Sequence, residues 1–329
     1  MILLNPGPVT LTERVRRSLL QPDLCHRESE FFALQDEARQ RLLALIPANG
    51  RLLNLENGVY GDRIAQICSQ YGIAHERAIF PWMHPLDLDA IAARLDAAQE
   101  GAQFTHMAAV HHETTTGRLN DLRPLGKLCR ERGLRLIVDA VSSFGAEPID
   151  FADDSLCVVA ATANKCLHAV PGASFVIVRR AALSQAASRT YYLDLGRLAR
   201  MQDQRNTPFT PAVHAYYALV EALREFADEG GRAARCKRYA GSAEQVRAGL
   251  ATLGIEPGVA PEHSSVVLRS YKLPAGMDYT KLHDALKAEG FVIYAGQGDL
   301  AKTLFRISTM GHVTPADLSR LLKCFAQHV

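Results

Sequence analysis

Long apolar runs are missing from this sequence. No stretch approaches the roughly 20 consecutive apolar residues a bilayer-spanning helix needs, so no membrane anchor is expected. The opening MILLNPGPVTL has no basic leader ahead of an apolar core, so a secretory signal is not expected either. A charge imbalance is missing too: 37 Lys and Arg stand against 35 Asp and Glu, a formal charge of +2, which gives no electrostatic reason for a nucleic-acid or membrane partner. The seven cysteines (Cys25, Cys68, Cys129, Cys157, Cys166, Cys236 and Cys324) are odd in number and never spaced as CxxC. That pattern disfavours a disulfide framework and a zinc knuckle, leaves no metal site to expect, and points to a reducing cytoplasm. There is no internal repeat and no low-complexity tract.

What is present is alternation. Arg51–Glu56 reads as a buried strand closed by Asn57-Gly58, Asp62–Tyr71 as a helix ending near Gly72, and Leu86–Gln99 as an amphipathic helix. Phe104–Val110 reads as a strand running into His-His-Glu-Thr-Thr-Thr-Gly, and Leu122–Arg132 as a helix stopped by Gly133. The short apolar runs Leu134–Val138, Cys157–Ala161 and Ser174–Val178 follow as strands. Such alternation predicts an α/β fold with a mainly parallel sheet, in which chemistry belongs just beyond the carboxyl ends of the strands. Long helices over Pro211–Phe226 and Arg232–Leu253 then lead to strands at Ser264–Leu268, Phe291–Tyr294 and Leu304–Ser308 and helices at Tyr279–Glu289 and Pro315–Ala326, a smaller α+β domain. At 329 residues two domains are expected, with an N-terminal arm over 1–15, a large domain over 16–225 and a small one over 226–329.

Two strand ends stand out. IVDAVSSFG places Asp139 at the tip of an apolar strand, and ATANKCLHAVPG places Lys165 in a small-residue turn after the next one. A lysine there can supply the amine for a Schiff base, and a carboxylate can keep a pyridine nitrogen protonated so that the ring withdraws electrons, which is what pyridoxal phosphate chemistry requires. Taken singly, each residue has a plainer reading: a strand-end Asp forms turns or caps helices, and a loop Lys is usually solvated. Their pairing in one sheet, flanked by Ser142-Ser143 and Pro171-Gly172, favours chemistry.

The segments LLNPGPVTLTERV, CHRESEF, ENGVYGDRI, HHETTTG, VDAVSSFGAEPID, ANKCLHAVPGASFVI and FRISTMG, in order along the whole chain, resemble the class V aminotransferases. The resemblance implies a fold type I homodimer binding pyridoxal 5'-phosphate, with active sites at the subunit interface. By position, Lys165 matches the Schiff-base lysine, Asp139 the partner of the pyridine nitrogen, Tyr60 the aromatic ring on the cofactor face and Thr114 the hydroxyl residue near the ring oxygen. Asn164 and Thr210 match positions that approach the cofactor phosphate, Thr210 from the partner subunit, and Arg306 matches the arginine that grips the substrate's anion. His26 and Arg27 are candidates for the substrate entrance. The implied reaction moves the amino group of 2-aminoethylphosphonate to pyruvate, giving phosphonoacetaldehyde and L-alanine. The alternatives are an alanine- or serine-glyoxylate aminotransferase, or an ammonia-lyase acting on an aminophosphonate.

The family pattern also has a strand, a Ser-Gly-Thr-type turn and a helix where this sequence passes directly from Leu45 to Arg51. About thirty residues are lacking there, and with them the helix N-terminus whose N–H groups would cradle a phosphate. Either the sequence as given omits a segment the protein has, or the protein uses Thr210 and other groups instead, or the chain is a non-catalytic scaffold. The first is favoured, because losing a strand and a helix from mid-domain would expose a core face.

Overall fold

The computed structural model describes residues 2–5, 9–20, 50–98, 103–183, 191–192 and 194–329. The expected helix ending near Leu45, most of the 45–51 junction, and His26 and Arg27 lie outside them. In chain order the elements used below are β1 (Ile2–Leu3), α1 (Glu13–Ser18), β2 (Arg51–Glu56), α2 (Val59–Gln70), β3 (His75–Ile79), α3 (Leu88–Asp96), β4 (Phe104–Val110), β5 (His112–Glu113), β6 (Arg118–Leu119) and α4 (Leu122–Glu131). They continue with β7 (Arg135–Asp139), β8 (Leu156–Thr162), β9 (Ser174–Val178), α5 (Leu195–Asp203), α6 (Val213–Asp228) and α7 (Gly231–Ala251). The last are β10 (Leu268–Lys272), α8 (Tyr279–Ala288), β11 (Phe291–Val292), β12 (Tyr294–Ala295), β13 (Leu304–Ser308) and α9 (Pro315–His328).

The main sheet runs β3-β2-β4-β7-β8-β9 and is parallel except for β9. Its central strands are apolar almost throughout because helices cover both faces. Leu53, Leu55, Met107, Ala109, Leu136, Val138 and Val159 pack there with Ile91 of α3 and Leu125 and Cys129 of α4. β9 is different. Its sequence SFVIV is apolar, yet the strand stays half-exposed at the outer edge of the sheet. The second body is built on the antiparallel sheet β10-β13-β12, with Phe305 between Tyr271 and Phe325 at ring distances of 5.7 and 5.6 Å and α8 and α9 closing over it. Helix starts follow their caps: Asp121 opens α4, Asp278 opens α8, and Thr314 with Asp317 forms a reciprocal capping box at α9.

Two expected strands are corrected, and two elements come unannounced. The strand expected at Ser264–Leu268 lies at Leu268–Lys272, because Glu147 accepts from Ser265 Oγ (2.6 Å) and Val266 N (2.8 Å) and so draws this backbone away from ladder pairing. The single strand expected at Phe291–Tyr294 breaks at Ile293: β11 pairs with β1, and β12 pairs with β13. β3, whose sequence HERAI shows no apolar alternation, was not expected as a strand, nor was helix α5. β3 tolerates polar residues because it is the far edge of the sheet. Among the described residues no helix is long and apolar enough to cross a membrane, and no three His, Cys, Asp or Glu side chains are grouped to hold a metal. Phe305→Ala is expected to lower stability by about 3–5 kcal/mol in urea unfolding, since a fully buried ring between two others leaves a cavity that its neighbours cannot fill.

Candidate active site

β7 and β8 are parallel neighbours, with Asp139 opposite Ala160, so Asp139 at the end of β7 and Lys165 in the turn after Thr162 arrive at the same edge of the sheet. The two are within electrostatic reach. Burial pushes the Asp139 carboxyl above its ordinary range, against the opposing pull of the Val141 amide, Arg63 and Lys165. Burial likewise pushes the Lys165 ammonium below its ordinary value, with Cys166 and Asp139 opposing. Asp139 Oδ1 accepts from Val141 N at 2.9 Å, which leaves Oδ2 without a hydrogen bond among the described residues. The Lys165 turn closes on itself through His168 N to Lys165 O (2.9 Å) and Ala169 N to Ala163 O (3.0 Å).

Tyr60 is placed by a helix that cannot cap itself. α2 follows Gly58, which has no side chain to offer the free N–H groups of the first turn. Glu113 and Thr115 fill that role from the loop after β4: Val59 N donates to Thr115 Oγ1 (3.0 Å) and Tyr60 N to Glu113 Oε2 (3.2 Å). The fit admits only glycine at 58, since a Cβ there would meet the Glu113 carboxyl carbon at 2.2 Å. Glu113 is completely buried, and burial raises its carboxyl above the ordinary range despite the donors around it. A negative group at a helix N-terminus is favoured by the helix dipole.

Arg306 crosses from the other body. Its Nε donates to Ala295 O (2.7 Å) and its Nη1 to Thr114 O (2.6 Å), and it is 4% exposed with no carboxylate in ion-pair contact among the described residues. Burial lowers its pKa, while Tyr60, Tyr279, Glu113 and Tyr294 oppose the shift. A buried guanidinium held by carbonyls alone is a costly arrangement unless an anion completes it. Nη2 is left over from these bonds, and bidentate anion recognition needs such a donor.

Lys165 and Asp139 thus stand within electrostatic reach of each other, Arg306 binds the Thr114 carbonyl within reach of Tyr60, and Arg63 lies between the two groups, over the Tyr60 ring and within reach of Asp139. Asn164 precedes the lysine and accepts from Thr162 Oγ1 at 2.8 Å. Thr210 is not brought to them: it is exposed and makes no hydrogen bond to the described residues of its own chain. Sequence reasoning passed over Glu113 as a helix cap and passed over Arg63, whose guanidinium lies 4.8 Å over the Tyr60 ring and faces Asp139. The signal for Arg63 was its place three residues after Tyr60 on one helix face.

The class-V aminotransferase family model matches residues 86–321. A 2-aminoethylphosphonate–pyruvate transaminase of Syntrophobacter fumaroxidans is 34% identical over 355 positions, covering 98% of this chain and 94% of the relative. One of Aeromonas hydrophila is 35% identical over 367 positions, covering 99% and 94%. Among solved structures, an alanine–glyoxylate aminotransferase from Nostoc superposes with a TM-score of 0.90 at 25% identity, covering 99% of this chain and 94% of that one. The chain belongs to the class-V aminotransferases and is a pyridoxal-phosphate-dependent transaminase of fold type I. Both sequence alignments run over more positions than the 329 residues of this chain, so each passes over stretches of the relative that have no counterpart here.

The ring end of the site fits the cofactor: a desolvated amine and a half-buried carboxylate, one of whose oxygens has no hydrogen bond among the described residues, stand at neighbouring strand ends. One consequence is measurable without cofactor. Asp139 holds its proton more tightly folded than unfolded, so the stability tied to that proton is complete below about pH 3.8 and is lost as pH rises through the raised folded value. Cofactor-free Asp139→Asn is therefore expected to be more stable than the unsubstituted protein at pH 7 and equal to it at pH 3; urea unfolding at both pH values measures this.

Proposed function

We propose that this protein transfers the amino group of 2-aminoethylphosphonate to pyruvate, giving phosphonoacetaldehyde and L-alanine. The observation that carries the reading is a half-buried lysine and aspartate, Lys165 and Asp139, at neighbouring strand ends, together with a buried Arg306 that has no carboxylate partner among the described residues, in a chain 34% and 35% identical to relatives named for that reaction. Lys165 and Asp139 would hold pyridoxal phosphate at its aldehyde and ring nitrogen, Tyr60 and Thr114 at the ring, and Asn164 and a partner's Thr210 near its phosphate. When bound, the cofactor supplies an electron sink that lets a C–H bond beside the amine ionise.

The residues of this chain do the rest. Arg306 binds the phosphonate of the donor and, in the second half-reaction, the carboxylate of pyruvate, both planar-fork targets for a guanidinium. Lys165 Nζ, made less basic by burial, is the group of this chain that would take the proton from the amine-bearing carbon. Asp139, anchored by the Val141 amide, would hold the ring nitrogen of the cofactor. The Nostoc likeness favours one second reading, alanine with glyoxylate, on the same residues. Borohydride treatment followed by peptide mapping is expected to mark Lys165, and an unmarked lysine would remove its assignment. In a panel pairing 2-aminoethylphosphonate or alanine with pyruvate or glyoxylate, the phosphonate–pyruvate pair should turn over fastest. Arg306→Ala should lower kcat/KM for it by 100-fold or more, a loss of about 3 kcal/mol typical of a charged hydrogen-bonded contact.

We further propose a cytoplasmic homodimer, divided into arm, large and small domains at 15/16 and 225/226. Support for the second copy comes from Thr210 and its surroundings. Tyr191 and Tyr192 are 74% and 64% exposed, and Tyr192 stacks on Phe209 at 4.5 Å, a surface aromatic group beside Thr210, which makes no hydrogen bond among the described residues. Sedimentation equilibrium is expected to give twice the chain mass of 36.1 kDa; a monomer that nevertheless turns over would remove the shared-site assignment of Thr210.

A further inference from the structure

One buried side chain near the lysine has no part in the chemistry above. His168, three residues after Lys165, has φ of +66°, a backbone conformation side-chain-bearing residues rarely adopt, and it is 2% exposed. That conformation aims its ring at the other body. Its Nε2 accepts from Gly311 N at 3.0 Å and contacts the hydroxyl of Tyr239 on α7. An Nε2 that accepts an amide proton must be unprotonated, so the ring is neutral with its hydrogen on Nδ1. Burial, together with the charges of Arg235, Arg238 and His312, keeps it so.

Gly311 follows β13 by three residues, and β13 carries Arg306. The link between them has little freedom: Ser308 Oγ donates to Val267 O (3.0 Å), Thr309 N to Val267 O (3.1 Å) and Met310 N to Ser308 Oγ (3.3 Å). Gly311 itself is gripped on all sides. Arg238 Nη1 donates to its carbonyl at 3.2 Å, and a Cβ at 311 would meet Thr10 O at 2.7 Å, so the arm lies against it. On the lysine side, Arg235 Nη1 donates to Cys166 O at 2.6 Å, which ties the Lys165 turn to the same helix that presents Tyr239.

We infer that His168 is a positioning residue, a latch that joins the Lys165 turn to Gly311 and so sets the distance from the Lys165 amine to the Arg306 guanidinium. It acts on the substrate through Arg306 and touches neither substrate nor cofactor. The kinetic side of this inference rests on the reaction proposed above; the structural side does not. A substrate that must reach Arg306 with its anion and Lys165 with its amine-bearing carbon is sensitive to that separation.

The test uses the intact holoenzyme with His168→Leu, which removes the acceptor, His168→Gln, which can restore one, and Tyr239→Phe, which removes the hydroxyl that orients the ring. Hydrogen exchange at the peptide containing Gly311 is expected to quicken about tenfold in H168L, the factor that the loss of roughly one hydrogen bond represents, and to return toward the original rate in H168Q. KM for pyruvate should rise about tenfold in H168L while kcat changes less than threefold, with H168Q intermediate. Unchanged exchange in H168L would overturn the latch, and altered exchange with unchanged KM would overturn its positioning role. Should H168L fail to fold, Tyr239→Phe decides: quicker exchange and a raised KM support the inference, and no change in either overturns it. Absence of turnover by the unsubstituted protein on every donor–acceptor pair would count against the proposed reaction alone, because the exchange measurement still decides the latch.

Discussion

A single buried carboxylate organises the ground on which the site stands. Glu113 is fully enclosed, and its oxygens take up N–H groups of α2 and the amide and hydroxyl of Thr115. Without it the first turn of α2 would end in unsatisfied donors, since Gly58 brings no cap. The same clasp fixes the loop carrying Thr114, whose carbonyl in turn holds Arg306 at 2.6 Å. One unfavourable burial therefore orders an aromatic ring from the large body and a guanidinium from the small one. The compensation comes from the donors around it, as a buried charge requires.

Around that clasp, the parallel sheet delivers the remaining groups by topology. Strands β7 and β8 run side by side in one direction, so whatever follows them emerges at one edge. Asp139 and Lys165 meet there because a parallel sheet gathers strand ends, without any long loop to bring them together. Both carry shifted proton affinities for the same reason, desolvation, and each opposes the other's shift. An acid and an amine in this state suit a cofactor whose ring needs charge on one side and a poised base on the other.

The contacts between the two bodies include specific polar ones beside an apolar cluster of Ala146, Cys166, Tyr239, Val267 and Met310. Arg306 to Thr114, His168 to Gly311, Glu147 to Ser265 and Val266, and Gln297 to Thr115 all cross from residues near the large sheet to residues near the small one. Hydrogen bonds of this kind set register more than they add stability, because each replaces a bond to water. At the opposite margin, β9 is an apolar edge left half-exposed, on a chain shorter than the alignments with its relatives.

The sequence by itself determined the strands β2, β4, β7, β8, β9 and β13 and the helices that alternate with them, because buried strands and amphipathic helices write their periodicity into apolar positions. It also determined which residue types could do the chemistry, through Asp139 at a strand tip and Lys165 in a small-residue turn. It did not disclose β3, whose edge position removes the apolar pattern, or the shift of β10 from Ser264 to Leu268, which Glu147 imposes from a distant loop. Only the tertiary structure decided that Glu113 caps α2, that Arg306 is held by backbone carbonyls rather than by a carboxylate, and that His168 reaches Gly311. Those are contacts between residues far apart in the chain, and local periodicity carries no record of a partner that arrives only when two bodies pack together.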